Sequence, residues 1–306
     1  MHGERDNLKY IYLMATATVV FWGVSFASVK TALSEASPFA VILLRFLMSL
    51  AVLAAAAAVR GELRLPSPHE AKILAVLGLW GFFFQLGVQT IAMETANSGT
   101  ANWQMASSPA LSAVFAAFFL NEKLSRRGIF GGLLAFTGVV VVLAFGKQGG
   151  GGSVAYNTGD FLITLSVVGW AAFMVLTRKL LRGGDFAPVF TLFWEMAFAS
   201  AAAAIPVAIS GSAVCGFGWQ TWCAIMFLGC FCSGLAYIFW FVAASKIPVA
   251  RLMFFQFLQP LIGIIAAYVM VGERFTLWLI PGGAMILSGV WIANHQAHGS
   301  VSSRGK

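Results

Sequence analysis

Residues 108–140, SPALSAVFAAFFLNEKLSRRGIFGGLLAFTGVV, and residues 259–291, QPLIGIIAAYVMVGERFTLWLIPGGAMILSGVW, are one pattern written twice. Each has an apolar stretch with a proline near its start, a Glu-Lys or Glu-Arg turn, and a second apolar stretch that carries a Gly-Gly pair. At an offset of 151 residues, Pro109 falls on Pro260, Glu122-Lys123 on Glu273-Arg274, Gly131-Gly132 on Gly282-Gly283 and Gly138-Val139 on Gly289-Val290. The register extends back to Leu77-Gly78 on Leu228-Gly229. At slightly smaller offsets it takes in Trp22 on Trp170, Lys30 on Arg178 and Pro38 on Pro188. Self-similarity at one period marks a duplicated structural unit.

The chain around these stretches is apolar almost throughout. Of 306 residues, 59% are hydrophobic and 10% charged, against about 25% charged in an average soluble domain. A water-soluble globule of this composition lacks the polar groups to cover its surface. The apolar residues instead fall into blocks long enough to span a hydrocarbon core of ~30 Å. Cutting at charged and turn-forming residues gives ten candidate spans, about 10–32, 38–59, 71–93, 98–120, 127–145, 161–181, 186–209, 219–244, 248–271 and 276–294. The first follows Arg5 and Lys9 as a signal peptide would, but it exceeds the roughly 7–15 apolar residues of a cleavable one. It is expected to remain as a helix of an all-α membrane protein.

A net charge of +8 invites nucleic acid as partner, but that requires a basic face, and these positives sit in short links between apolar blocks. Arg5, Lys9, Arg60, Arg64, Lys72, Lys123, Arg126, Arg127, Arg178, Lys179, Arg182, Lys246, Arg251, Arg304 and Lys306 share the side of the N-terminus, whereas Lys30, Lys147 and Arg274 share the other. That bias predicts ten transmembrane helices with both termini cytoplasmic. Five spans per copy is an odd number, so the second copy enters the membrane from the opposite side. The predicted organisation is two inverted-topology five-helix repeats, 1–146 and 160–306, joined by a Gly-rich linker over 147–159. Such an architecture serves alternating-access carriers, with the substrate site near the midplane between the halves.

Two five-helix halves, each with a Pro ahead of a Glu-Lys/Arg turn and then a Gly-Gly span, resemble the EamA-type members of the drug/metabolite transporter superfamily. With the opening FWGVSFASVKTAL at residues 21–33, the sequence is most similar to the YddG-like amino-acid exporters. The resemblance covers nearly the whole chain. It implies a ten-helix carrier in the cytoplasmic membrane of a bacterium, exporting small metabolites, notably amino acids with aromatic ones included. It also implies a central cavity lined mainly by the third, fourth, sixth, eighth and ninth spans.

Within the predicted spans, Arg45 is the one basic residue at depth, where a guanidinium costs roughly 2.5 kcal/mol or more. Its repeat counterpart, at an offset of 150, is Glu195, the one carboxylate well inside a span. Inversion puts them at different depths, so no direct pair is required. Two roles fit: biasing the cavity toward a zwitterion, with Arg45 attracting a carboxylate and Glu195 an ammonium, or locking a gate.

Uncharged polarity concentrates in the third and fourth spans and their counterparts: Gln85, Gln89, Asn102, Gln104, Ser107 and Ser108, then Tyr237, Gln256 and Gln259. Of these, Gln85, Ser108, Tyr237, Gln256 and Gln259 are substrate-binding candidates, the alternative role being helix–helix hydrogen bonding. Trp170 and Trp103 join them because the resemblance places their spans beside the cavity, and Trp22 follows as the repeat partner of Trp170. An indole offers a flat apolar wall and a face for an ammonium. Pro109 and Pro260 are equivalent helix breaks, suited to a hinge or to a static kink. The rows Gly128-x3-Gly132 and Ala284-x3-Ser288 should allow close helix approach, between the halves or between protomers.

Enzyme signatures are absent: three of four histidines are terminal, His69 lies in a loop, and the Gly-rich linker lacks the Lys-Ser/Thr ending of a phosphate loop. Cys223, Cys230 and Cys232 share one apolar block without metal-ligand spacing or a disulfide framework, so neither metal nor cofactor is expected. The partners implied are a small-molecule substrate and the lipid bilayer. The function expected is outward secondary transport of amino acids or related small metabolites as the half-bundles tilt. The alternatives are a multidrug or other metabolite exporter and, in another class, a non-transporting receptor or assembly subunit.

Overall fold

The computed structural model describes residues 2–120, 126–146, 157–182, 186–246, 255–256 and 258–294, and every regular element in them is helical. The first half contains α1 (His2–Ala32), α2 (Pro38–Val59), α3 (Pro68–Gly78), a π-helical segment (Leu79–Phe84), α4 (Gln85–Ala92), α5 (Ser98–Met105), α6 (Ser108–Leu120) and α7 (Arg126–Phe145). The second contains α8 (Thr158–Arg182), α9 (Pro188–Ser210), α10 (Trp219–Met226), a π-helical segment (Phe227–Leu235), α11 (Ala236–Lys246), α12 (Leu258–Val271) and α13 (Leu279–Asn294).

The helix starts follow from local chemistry. Ser37 and Ser67 accept backbone N–H groups at the heads of α2 and α3, each followed by a proline whose missing N–H needs no partner there. Glu70 completes a capping box with Ser67. Gly211, at φ +62°, ends α9 in the left-handed conformation that favours glycine. Asn157 caps α8 through the Asp160 N–H at 2.8 Å, so the predicted linker ends at Asn157, and Thr158 and Gly159 belong to the helix. The rest of the linker, from 147 to 156, lies outside the described residues.

Seven helical stretches among the described residues are long and apolar enough to cross a membrane, and Leu258–Val271 and Leu279–Ile292 are apolar but shorter. The fourth predicted span is not among the seven because Ala106 and Ser107 interrupt it. Pro109 then occupies the first turn of α6 and Pro260 the first turn of α12. Both prolines therefore open a half-helix rather than kink a continuous one, a position where a missing donor costs little.

The principal helix contacts run between the halves: α7 with α13, α1 with α12 and α11, α2 with α9, α4 with α8, and α3 with α9. This corrects the expectation of two half-bundles tilting against each other, because the repeats interdigitate and neither is a separate body. The packing instead sorts into mixed sets. Helix α1 goes with the α10–α11 span, α12 and α5, while α8 goes with the α3–α4 span and α6.

Glycines carry the closest approaches, and they do so reciprocally. A Cβ on Gly138 would lie 2.7 Å from the Gly282 carbonyl oxygen, and one on Gly289 would lie 2.5 Å from that of Gly131. These are repeat equivalents with their roles exchanged, as an inverted repeat requires. Gly132, Ala284 and Ser288 of the rows named from sequence lie off this seam: Ala284 and Ser288 are exposed, and a Cβ on Gly132 meets nothing within 4 Å. The outer face of α7, with Phe130, Leu133 and Phe136 exposed, is apolar, as a lipid-facing surface must be.

Gly289→Ala should therefore destabilise the folded protein by about 1–3 kcal/mol through overpacking, whereas Gly132→Ala should leave it unchanged. Thermal unfolding of the two variants in detergent checks this. Equal melting temperatures would contradict the seam.

Candidate functional site

Trp22 on α1 and Trp170 on α8 occupy equivalent positions in the two copies, and their rings meet edge to face, with centroids 5.9 Å apart and planes at 84°. Contact between repeat equivalents places the pseudo-two-fold axis between them. Tyr237 on α11 joins both, at 5.6 Å from Trp22 and 5.9 Å from Trp170. Phe82, Phe173 and Trp240 close the cluster, with Phe82 at 5.1 Å from Tyr237, Phe173 at 5.7 Å from Trp170 and Trp240 at 5.2 Å from Trp22. Pairs in such offset and edge-on geometries contribute roughly 0.5–1.5 kcal/mol each beyond burial. The cluster draws on α1, α8, the α10–α11 span and the first π segment, and so joins both mixed sets.

Local backbone explains why these rings converge. Positions 79–84, the first π segment, correspond at the 151-residue offset to 230–235, which fall inside the second. Each π segment follows directly on a glycine pressed against the other copy or contains it. A Cβ on Gly78 would run into the Glu195 backbone carbonyl, and one on Gly229 would lie 2.9 Å from the Arg45 carbonyl oxygen. These contacts are again equivalent with roles exchanged. The Trp22 indole N–H donates to the Cys232 carbonyl at 3.1 Å, and Trp80 donates to the Gly169 carbonyl at 3.3 Å. In both cases an indole reaches a backbone carbonyl of the opposite copy. The Cys232 carbonyl lies within the second π segment, where the widened helix frees backbone groups, and such segments recur at functional sites.

Arg45 and Glu195 flank the cluster: Arg45 reaches Ser233 in the π segment that leads to Tyr237, and the Glu195 backbone meets Gly78 at the head of the π segment that carries Phe82. Arg45 is 3% exposed and donates from Nε to Ser233 Oγ at 2.6 Å. A hydrogen bond from a charged donor is worth about 1.5–3 kcal/mol, enough to offset much of the cost of the buried guanidinium. Glu195 is 0% exposed, and neither carboxylate oxygen has a hydrogen-bond partner. Arg45 and Glu195 form no ion pair with each other. Gln85, at 1% exposure, also leaves both amide atoms unpartnered, and its aliphatic stem faces Gly169 next to Trp170.

The other sequence candidates lie elsewhere. Trp103 belongs to a second core with Val139, Val142, Ile286 and Val290, and its ring fills the space that a Cβ on Gly283 would need. It does not join the Trp22–Trp170 cluster. Ser108 is buried where α6 begins, and Gln256 is buried where the ninth span is interrupted. Gln259 is buried in the first turn of α12, whose backbone packs on Gly23 of α1. Beside this region Asn102 donates to the Gly23 and Ser98 carbonyls at 3.2 and 3.1 Å, a helix-linking role.

Several groups had not been singled out for the site. Phe82, Phe173 and Trp240 were hidden among 28 Phe and 10 Trp, and Ser233 among ordinary small residues. A further arrangement closes one end of the molecule. Lys30 Nζ lies 2.8 Å from Glu273 Oε1 and donates to the Ala96 carbonyl at 2.9 Å. The Glu273 carboxylate in turn accepts from Ser98 N, Ser98 Oγ and Gly99 N at 2.9, 2.9 and 3.2 Å, at the start of α5. An acidic group from the second copy thus caps a helix of the first. Lys30 and Glu273 were both flagged by the repeat, so their alignment was the available signal. Their counterparts cannot be compared, because Glu122 and the side chain of Arg178 lie outside the described residues.

The comparisons with known proteins agree with this duplication. The model of the EamA-like transporter family matches the chain twice, over residues 9–144 and 157–294. An uncharacterized transporter of Archaeoglobus fulgidus is 28% identical over 291 residues, covering 94% of this chain and 98% of its own. A probable terminal-alkyne amino-acid exporter of Streptantibioticus cattleyicolor is 25% identical over 292 residues, covering 92% of each. A solved crystal structure superposes with a TM-score of 0.67 at 22% identity, covering 92% of this chain and 96% of its own, and so shares the fold. With the family model spanning both halves, the chain belongs to the EamA-like transporter family and is a membrane transporter built from two repeats.

Proposed function

We propose that the protein exports amino acids, aromatic ones included, or related small metabolites from a bacterial cytoplasm across the cell membrane by alternating access. The observation that carries this reading is the aromatic cluster on the pseudo-two-fold axis, flanked by one buried cation and one buried carboxylate. Trp22, Trp170 and Tyr237 offer apolar faces, Gln85 and Glu195 offer unpartnered polar atoms, and Arg45 offers a positive charge. Gln256, Gln259 and Ser108 line the approach from the interrupted fourth and ninth spans, with Trp103 behind it.

In this reading ten spans cross the membrane and both termini are cytoplasmic. The moving bodies are the mixed sets rather than the repeats: α1 with the α10–α11 span, α12 and α5, against α8 with the α3–α4 span and α6. Pro109 and Pro260 mark their hinges. Lys30, Glu273 and the start of α5 close the extracytoplasmic end, because they lie on the side poor in positive charge. The A. fulgidus and S. cattleyicolor relatives support transport, and the name of the second supports an amino-acid cargo.

Purified protein in liposomes loaded with unlabelled phenylalanine should accumulate labelled phenylalanine by counterflow. No accumulation of any amino acid in a labelled panel, with other small metabolites accumulating instead, would favour the broader exporter. Trp170→Ala should raise the half-saturating concentration at least ~10-fold, the equivalent of 1.4 kcal/mol, with Trp170→Phe retaining most of it. An unchanged value in Trp170→Ala would remove the cluster from the binding site.

A further inference from the structure

Among the described residues inside the helical bundle, Glu195 is placed as no other charged group is. It is fully buried, both of its oxygens are unpartnered, and its helix is held in place by the contact of its own backbone with Gly78. Arg45, on α2, which packs along α9, sends its Nε to Ser233 instead of to Glu195. Of the other elements on α9, α3 carries charge only at its start, in His69, Glu70 and Lys72, and α11 contributes Tyr237, with Lys246 at its far end. An ionised carboxylate in such surroundings is costly unless a cation faces it. Gln85 offers a second orphaned acceptor, and Trp170 and Tyr237 supply aromatic faces of the kind that attract a cation.

We infer that Glu195, with Gln85 and the aromatic faces around Tyr237, forms an ammonium-binding site, and that the cargo is recognised by a cationic amine on an apolar body rather than by a carboxylate. This rests on the carrier reading above and narrows it. Arg45 has a partner in Ser233 whereas Glu195 has none, so the carboxylate is the charge that a cargo group would complete. Primary amines without a carboxyl group are then substrates alongside amino acids, and amino acids with a blocked amine are not.

Three probes that share one side chain separate these features: phenylethylamine, phenylalanine and N-acetylphenylalanine. Counterflow into liposomes carrying wild type, Glu195→Gln, Glu195→Asp or Gln85→Leu is the measurement, with melting temperature and size-exclusion profile reporting folding. Wild type should move phenylethylamine and phenylalanine but not N-acetylphenylalanine. Folded Glu195→Gln should lose at least ~10-fold of both activities, and Glu195→Asp should retain part of them. Should Glu195→Gln not fold, the wild-type probe order and the Glu195→Asp and Gln85→Leu rates decide.

Movement of N-acetylphenylalanine at a rate equal to phenylethylamine, or full activity in Glu195→Gln, overturns the inference and leaves amino-acid export standing if phenylalanine is moved. Movement of phenylethylamine alone, lost in Glu195→Gln, upholds the inference and overturns amino-acid export. Movement of neither amine by folded wild type overturns both.

Discussion

Apolar helices gain little by leaving lipid for each other, since lipid tails are as apolar as leucine, and association in a bilayer rests on close packing and hydrogen bonds. In this protein that packing depends on glycine at the places where the two copies of the repeat meet. Gly138 and Gly289 bring α7 and α13 to backbone contact, while Gly78 and Gly229 bring the π-containing spans against the backbone of Glu195 and Arg45. Each contact appears twice with its partners exchanged. A repeat folded on itself in this manner cannot fall apart into two half-bundles, because its principal helix pairs are made across the halves.

The position of the site follows from that constraint. Gly78 and Gly229 fix the two buried charges by their own backbones, one on each side of the axis, and the π segments beside those glycines aim Phe82 and Tyr237 inward. The axis itself falls between Trp22 and Trp170. Chemistry at the centre is nevertheless asymmetric. Arg45 has a hydrogen-bond partner in Ser233, and the Glu195 carboxylate has none among the described residues. Equivalent backbone positions thus hold opposite charges in unlike states of satisfaction within a symmetric frame.

Much of this frame was legible in the sequence. The 151-residue offset identified the duplication from Pro109, Glu122 and the Gly-Gly pairs, and the offset linking Trp22 to Trp170 named two rings that meet. Helix-start residues such as Pro38 and Pro188 marked boundaries because their chemistry is local. Interdigitation of the halves was not legible, since contacts across the repeats leave no mark on the spacing within either one. The small-residue rows fell partly off the seam for a related reason: glycine content shows that a helix can be approached closely, and only its partner decides which face is used. Trp103 was assigned to the centre by the position of its span alone, and its side chain turns to the second core against Gly283. Ser233 carried no distinguishing signal until Arg45 was beside it.

The central claim is that the residues around the pseudo-two-fold axis are reached by solvent alternately from the two sides of the membrane. Replacing the four native cysteines and placing a single cysteine at Gln85 gives a direct reporter, modified with a membrane-impermeant thiol reagent applied separately to right-side-out and inverted vesicles. The account predicts labelling from both sides, slowed on both by saturating cargo. Labelling from one side only, or from neither in folded protein, would contradict it.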